Sequence, residues 1–267
     1  MAVMNEVVPR IALHGATGSM GRAMLAVCRE ANVQIVGAAA APGCTEIGMD
    51  LGDVHHTSTY GVLVTDDIST ALLGANVIVD FSSAAAVRSL AVAAVKVGLP
   101  LVSGTTGLDA DAYAAIVDLS KEAAVLWSPN FSIGIQVLSE MLQHAAKRLG
   151  PGFDVEIVEV HHRRKVDAPS GTAARLAQVV QDIRPLVRCH GREGFAGERP
   201  SDELGVFAVR GGDVVGDHTV HLLGLGERLE LTHRATSREV FARGALFAAR
   251  SLLTKPPGIW HLADILP

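Results

Sequence analysis

Along the first half of the chain, short aliphatic runs alternate with longer stretches in which apolar residues recur every three to four positions. Ile11-Ala12-Leu13-His14 predicts a strand, and 18–30 predicts a helix with Met20, Ala23, Met24 and Val27 on one face. Further strands are predicted at 34–40, 77–81, 101–103 and 125–127, with Pro100 limiting the third of these on its N-terminal side. Ala-rich helices at 84–97 and 109–123 separate the later strands. This order predicts a Rossmann-like, doubly wound parallel sheet with crossover helices, an α/β domain.

The pattern changes after a predicted helix at 132–149, which Gly150-Pro151-Gly152 terminates. A strand at 154–162 and a helix at 170–183 lead into 184–204, which reads as a polar loop rich in Gly, Arg and Pro. Three strand-like runs, 205–210, 214–223 and 228–233, then follow with no helix between them. Strands in direct succession predict a smaller α+β domain with a mixed sheet. A last helix, 237–253, and a closing segment at Trp260-His261-Leu262 complete the chain. The expected division is a dinucleotide-binding domain at 1–130, completed by 236–267, and a second domain at 131–235, with 1–9 a frayed extension.

Composition narrows the function. The 267 residues are 49% hydrophobic and 19% charged, enough apolar material for two cores. The net charge of −5 gives no basic excess for a nucleic-acid backbone, so no nucleic-acid partner is expected. Without an apolar run of membrane length or a signal-peptide pattern, no membrane partner is expected either. Cys28, Cys44 and Cys189 are widely spaced and odd in number, pointing to reduced thiols and the cytoplasm. His55, His56, His144 and His261 are isolated and carry no expected role.

Gly15-Ala16-Thr17-Gly18-Ser19-Met20-Gly21 follows the first strand and opens the first helix, where a dinucleotide fingerprint belongs. Its spacing is GxxGxxG. Gly15 would form the tight turn, Gly18 would admit the pyrophosphate, and Gly21 would let helix and sheet approach. NADH or NADPH is the expected cofactor. The second strand ends in Ala39-Ala40-Ala41-Pro42, with neither the acid that usually holds a ribose nor an Arg for a 2′-phosphate. Glu46 and Asp50 come later, and dual use with little discrimination is expected. Gly104-Thr105-Thr106-Gly107 and Ser128-Pro129-Asn130-Phe131-Ser132 also fall at C-terminal ends of strands, where ligands of open α/β sheets collect. Alternatively, Gly104 and Pro129 shape turns and Ser132 caps a helix.

The densest chemistry lies in Glu159-Val160-His161-His162-Arg163-Arg164-Lys165-Val166-Asp167-Ala168-Pro169-Ser170-Gly171-Thr172. Adjacent histidines on a strand face opposite ways. Ser170, Gly171 and Thr172, at the start of a helix, would offer amides and hydroxyls to an anion. With Lys165 and one imidazole they make a dicarboxylate site, and the other imidazole suits a general acid. A zinc site would need a further ligand, and no metal is expected.

The string His-His-x-x-Lys-x-Asp-Ala-Pro-Ser-Gly-Thr-Ala, with Gly15–Gly21, Asp80-Phe81-Ser82, Gly104–Gly107, Asn130–Ser132, Arg210–Gly216 and Ser237-Arg238, resembles the 4-hydroxy-tetrahydrodipicolinate reductase family over nearly the whole chain. The resemblance implies hydride transfer from NADH or NADPH to a cyclic imine dicarboxylate, after or with loss of its hydroxyl as water, giving 2,3,4,5-tetrahydrodipicolinate in diaminopimelate and lysine biosynthesis. It implies that His161 is the proton donor and Lys165 the second catalytic group. His162, Lys165 and Gly171-Thr172 would hold the carboxylates. Gly15–Met20, Gly104–Thr106 and Ser128–Phe131 would line the cofactor site. It also implies a homotetramer assembled through the second-domain sheet. Where the family often has an acid and an Arg, this chain has Ala41 and Pro42, and Arg164 stands where His is common. The rivals are another two-domain dehydrogenase, acting on a semialdehyde or a sugar, and a non-catalytic nucleotide or dicarboxylate sensor.

Overall fold

The structure, a computed structural model, describes residues 7–267; most of the predicted N-terminal extension lies outside them. The chain divides into two compact units, Met1–Phe131 with Glu239–Pro267, and Ser132–Arg238.

In the first unit, β1 (Arg10–His14), α1 (Ser19–Glu30), β2 (Gln34–Ala39), α2 (Leu51–Val54), β3 (Val64–Thr65) and α3 (Ile68–Ala71) are followed by β4 (Val77–Asp80) and α4 (Ala84–Val97). Next come β5 (Leu101–Ser103), α5 (Ala110–Ser120) and β6 (Ala124–Trp127). The second unit holds α6 (Ile133–Leu149), β7 (Asp154–His161), α7 (Gly171–Gln181), β8 (Val187–Cys189), β9 (Glu203–Arg210), β10 (Gly216–Gly224) and β11 (Glu227–Ala235). The chain then returns to the first unit through α8 (Glu239–Leu252), β12 (Gly258–Trp260) and α9 (Leu262–Ile265).

The first sheet has the order β12-β6-β5-β4-β1-β2-β3, with every pair parallel. Its strands are buried on both faces, so side chains of opposite parity feed different cores. Ile11, Leu13, Val77 and Val79 pack with Met24 and Val27 of α1 and with Ala245 and Ala249 of α8. Ala12, Ile78 and Val125 pack with Leu90 of α4 and Ile116 of α5. The Ala-rich face of α8 permits close approach, and Gly244 is the tightest point: a Cβ there would lie 1.7 Å from the Phe131 carbonyl oxygen.

The second sheet, β11-β10-β7-β9-β8, is mixed: β7, β9 and β8 run parallel, and β10 and β11 antiparallel to β7 and β10 respectively. Strand β7 alternates half-buried and buried residues, and Val155 and Ile157 lie in the core beneath Leu142 of α6 and Leu176 of α7. Glu159 and His161 continue that buried parity, so the sheet's core face ends in polar groups.

The structure corrects several predicted boundaries. The stretch 184–204 is not wholly loop, because β8 lies within it. Arg199 bonds Asp154 and Glu156 at 2.7 Å each, fastening the following loop to β7. The closing segment contains an edge strand, β12, and a short helix, and β3 was missed because it has two residues. Among the described residues no helix is long and apolar enough to cross a membrane. Replacing Gly244 with Ala should lower stability by about 1–3 kcal/mol, since backbone must move to admit the methyl group. Urea unfolding would show this as a lower midpoint with an unchanged slope; an unshifted midpoint would mean that α8 adjusts at no cost.

Candidate active site

In the second unit, the carboxylate of Glu159 has no exposed surface. Arg210, the last residue of β9, grips it through two bonds of 2.7 Å. His161 meets it through Nδ1 at 2.5 Å, and the Ser170 amide donates to it at 2.9 Å. Burial works against the charged carboxylate, but these partners outweigh it and hold the group below the ordinary carboxylate range. Because Glu159 is an ionised acceptor, Nδ1 of His161 carries the proton and Nε2 is left for chemistry. Gly216 lies beside that nitrogen, where a Cβ would come within 3.0 Å.

The loop after β7 is held from two sides. Arg210 reaches the Asp167 carbonyl at 2.6 Å, and the His162 amide donates to Val214 at 2.8 Å. Lys165 pairs with Asp167 at 2.8 Å and keeps 22% of its side chain exposed, so its ammonium remains available to an anion. His162 is half-buried, and its Nδ1 is buried with no partner among the described residues. Burial and the neighbouring Arg164, Arg238, His161 and Lys165 push its pKa down. His162 therefore acts as a neutral ring with one unspent nitrogen, rather than as a cation.

The assignment of Ser170 to substrate needs correction. Its amide is spent on Glu159, and its hydroxyl caps α7 by accepting from the Ala173 amide at 3.2 Å. Gly171 and Thr172 follow it in the first turn, at the positive end of α7. Sequence reasoning also missed His218. It is buried, meets the Ser170 hydroxyl through Nε2 at 3.2 Å, and sets its ring edge-on to His161 at 5.2 Å. Only alternation along β10 hints at its inward direction. Burial, chiefly, with the adjacent His161, lowers its pKa to about 4.

In the first unit, Gly15 adopts φ +77°, and a Cβ there would strike the Phe81 carbonyl at 2.4 Å. Gly21 lets α1 close on the turn, its Cβ position being 2.1 Å from the Ala16 carbonyl. Gly18 caps α1 without a side chain, whereas Asp50, Asp67, Asp109, Ser132 and Ser170 cap their helices through side chains. The first turn of α1, with Ser19 and Met20, thus keeps its amides for an external acceptor, which fits a pyrophosphate. Gly15 and Ala16 need a different assignment: both amides donate to Ala39, at 3.0 and 2.9 Å, and form the turn itself. His55, expected to have no role, supports that turn by bonding the Ala16 carbonyl at 2.8 Å.

A second buried carboxylate, Asp80, underlies these loops. It accepts from His14 at 2.7 Å, Ser82 at 2.6 Å, and Ser103 and Thr105 at 2.7 Å each. Thr105 is therefore internal, and its carbonyl also accepts from Trp127 at 2.8 Å; Thr106 is the exposed hydroxyl of that loop. Ser128 turns onto the Asn130 carbonyl at 2.7 Å, and Pro129 is exposed. Phe131 belongs to the core, edge-on to Phe81 at 6.0 Å, so its side chain is not a ligand surface. The thiols do not suit a semialdehyde dehydrogenase: burial pushes Cys28 up to about 12, Cys44 donates to Glu46, and Cys189 of the second unit donates to the Gly191 carbonyl.

Residues 9–131 match the family model for the dihydrodipicolinate reductase N-terminus, and residues 134–266 match the one for its C-terminus. The chain belongs to the dihydrodipicolinate reductase family. The 4-hydroxy-tetrahydrodipicolinate reductase of Anaeromyxobacter dehalogenans is 44% identical over 96% of this chain and 97% of its own length. That of Nitrosomonas eutropha is 42% identical over 96% and 97%. The dipicolinate-bound dihydrodipicolinate reductase from Paenisporosarcina sp. TG-14 shares the fold, with a TM-score of 0.78 at 23% identity, covering 97% of this chain and 100% of that one. The family comprises oxidoreductases that use NADH or NADPH.

The depressed pKa of His218 makes stability depend on pH. The unfolded imidazole takes a proton near pH 6.5, while the folded one resists until about 4. Between those values the unfolded state binds more protons, so stability falls as pH falls, by about 3 kcal/mol in total. Unfolding free energies of the native protein and His218→Gln, measured from pH 7 to pH 4, should converge by that amount; parallel curves would refute the assignment.

Proposed function

We propose that this chain reduces 4-hydroxy-tetrahydrodipicolinate to 2,3,4,5-tetrahydrodipicolinate with NADH or NADPH, in diaminopimelate and lysine biosynthesis in the cytoplasm. The observation that carries the mechanism is the line Arg210–Glu159–His161, which ends in an imidazole nitrogen without a partner among the described residues. When bound at the glycine turn, the cofactor supplies the hydride. The substrate loses its 4-hydroxyl as water, which gives the conjugated imine; hydride addition to that imine leaves an electron-rich centre that must be protonated, and His161 gives that proton from Nε2. Glu159 stabilises the imidazolium beforehand. Arg210 and the Ser170 amide keep Glu159 ionised, so it remains an acceptor for Nδ1 of His161.

The remaining groups fit two carboxylates. Lys165 supplies a positive charge, the start of α7 at Gly171 and Thr172 supplies amides, and the unspent nitrogen of His162 supplies a further bond. The unit Ser132–Arg238, a few residues displaced from the expected 131–235, is on this reading the substrate-binding domain, and Met1–Phe131 with Glu239–Pro267 the dinucleotide-binding one. The non-catalytic sensor is disfavoured because a sensor has no use for a buried carboxylate that fixes the tautomer of a proton donor.

Turnover is read as loss of NADH or NADPH absorbance with substrate generated enzymatically. His161→Ala should lower kcat by about 10²–10⁴-fold, the usual worth of a positioned general acid. Unchanged turnover would sink the catalytic assignment. We further infer a homotetramer built through the second sheet, whose β11 has exposed residues at most positions. Light scattering should give four times the 27.9 kDa chain mass; a monomer would refute it.

A further inference from the structure

The first unit presents a gap at the place where a dinucleotide's adenosine ribose is held. Strand β2 ends at Ala39, and Ala40, Ala41 and Pro42 follow it, so no acid stands at the strand end. Three acids occur between β2 and β3: Glu46, Asp50 and Asp53. Asp50 is buried and committed, accepting at 2.7 Å each from the amides of Gly52, Tyr60 and Gly61. Asp53 sits in the first turn of α2, where it complements the helix terminus.

Glu46 is placed differently. The turn formed when Gly15 and Ala16 bond to Ala39 sets the residues after β2 beside the glycine loop. Tight turns then fold the segment back: the Cys44 amide donates to Ala41, and the Ile47 amide to Cys44. Cys44 comes within 3.8 Å of the Thr17 hydroxyl in the glycine loop. Its single S–H donates to Glu46 Oε2 at 2.8 Å, so the Thr17 hydroxyl is the donor towards sulfur. Thr45 adds a second bond to the same oxygen at 2.9 Å, leaving Oε1 outside these contacts. The bonds from Cys44 and Thr45 hold the carboxylate below its ordinary range, and no cation contributes to that shift.

We infer that Glu46 supplies, from one turn further along the chain, the ribose-binding carboxylate that β2 lacks, and that it selects NADH over NADPH. The inference rests on the nicotinamide-cofactor reading above. A carboxylate accepts from both hydroxyls of an unmodified ribose and repels a 2′-phosphate. Cys44 and Thr17 act as positioning residues, linking the carboxylate to the loop that meets the pyrophosphate. This replaces the expectation of little discrimination, which followed from considering positions 41 and 42 alone.

Equilibrium binding separates the possibilities without turnover. Titrations of the native protein, Glu46→Gln and Cys44→Ala with NADH and with NADPH, followed by nicotinamide fluorescence, give six dissociation constants. The native protein should bind NADH at least about tenfold more tightly than NADPH, as expected when one charge-assisted bond is replaced by repulsion. Glu46→Gln should weaken NADH binding and tighten or leave unchanged that of NADPH, bringing the two within about threefold. Cys44→Ala should fall between. Equal native affinities, a preference for NADPH, or a Gln variant that shifts both constants together would overturn the assignment of Glu46 while leaving cofactor use intact. Absence of binding by either dinucleotide would overturn the cofactor reading and this inference with it.

Discussion

A carboxylate with no exposed surface is tolerable only if its lost hydration is replaced, since an unpaired buried charge costs several kcal/mol. In the second unit Glu159 imposes that condition, and its partners come from three directions. Arg210 ends β9, His161 lies two residues on along β7, and Ser170 precedes α7. Satisfying one acid thereby fixes the His161 ring, the positive end of a helix and the loop bearing Lys165, because Arg210 also reaches the Asp167 carbonyl. Removing Arg210 would weaken the electrostatic reason for Glu159 to stay ionised. A neutral Glu159 would no longer stabilise the imidazolium.

Asp80 sets the same condition in the first unit, with a different solution. Its partners are mostly hydroxyls, from Ser82, Ser103 and Thr105, and His14 is its ion-pair partner. These residues lie just before the glycine turn, just after β4 and at the end of β5, so one acid ties together three loops at the C-terminal ends of parallel strands. In each unit, a buried acid at or near a strand end organises the neighbouring loops through its need for donors. Thr105 and Ser170 belong to that support, since their hydrogen-bonding groups are spent on Asp80 and Glu159.

The parallel domain was legible because local pattern and long-range packing agree there: Ile11 and Leu13 face one core and Ala12 the other. The mixed sheet was legible from strands in succession. The β8 segment was hidden because its three residues lie in a stretch rich in Gly, Arg and Pro, and its neighbouring loop is fastened by Arg192 and Arg199 to Glu156 and Asp154, contacts to which periodicity is blind. The chemistry at 159–172 was legible as a density of polar residues. Which amides were already spent was not, because Ser170, Gly15 and Ala16 donate to groups remote in sequence. His218 was invisible for the same reason: a lone strand histidine becomes meaningful only when β10 pairs with β7 and lays it beside His161.

That neighbour bears on how an acid can work where burial disfavours charge. The Ser170 hydroxyl accepts from the Ala173 amide and shares a second bond with Nε2 of His218, whose Nδ1 is buried with no partner among the described residues. His218 is a neutral ring at neutral pH, and burial keeps it so. A charged ring 5.2 Å from His161 would repel the imidazolium that Glu159 is placed to stabilise. The desolvation that excludes a proton from His218 keeps that second charge away from His161. The two histidines stand side by side, yet only His161 bonds the Glu159 carboxylate.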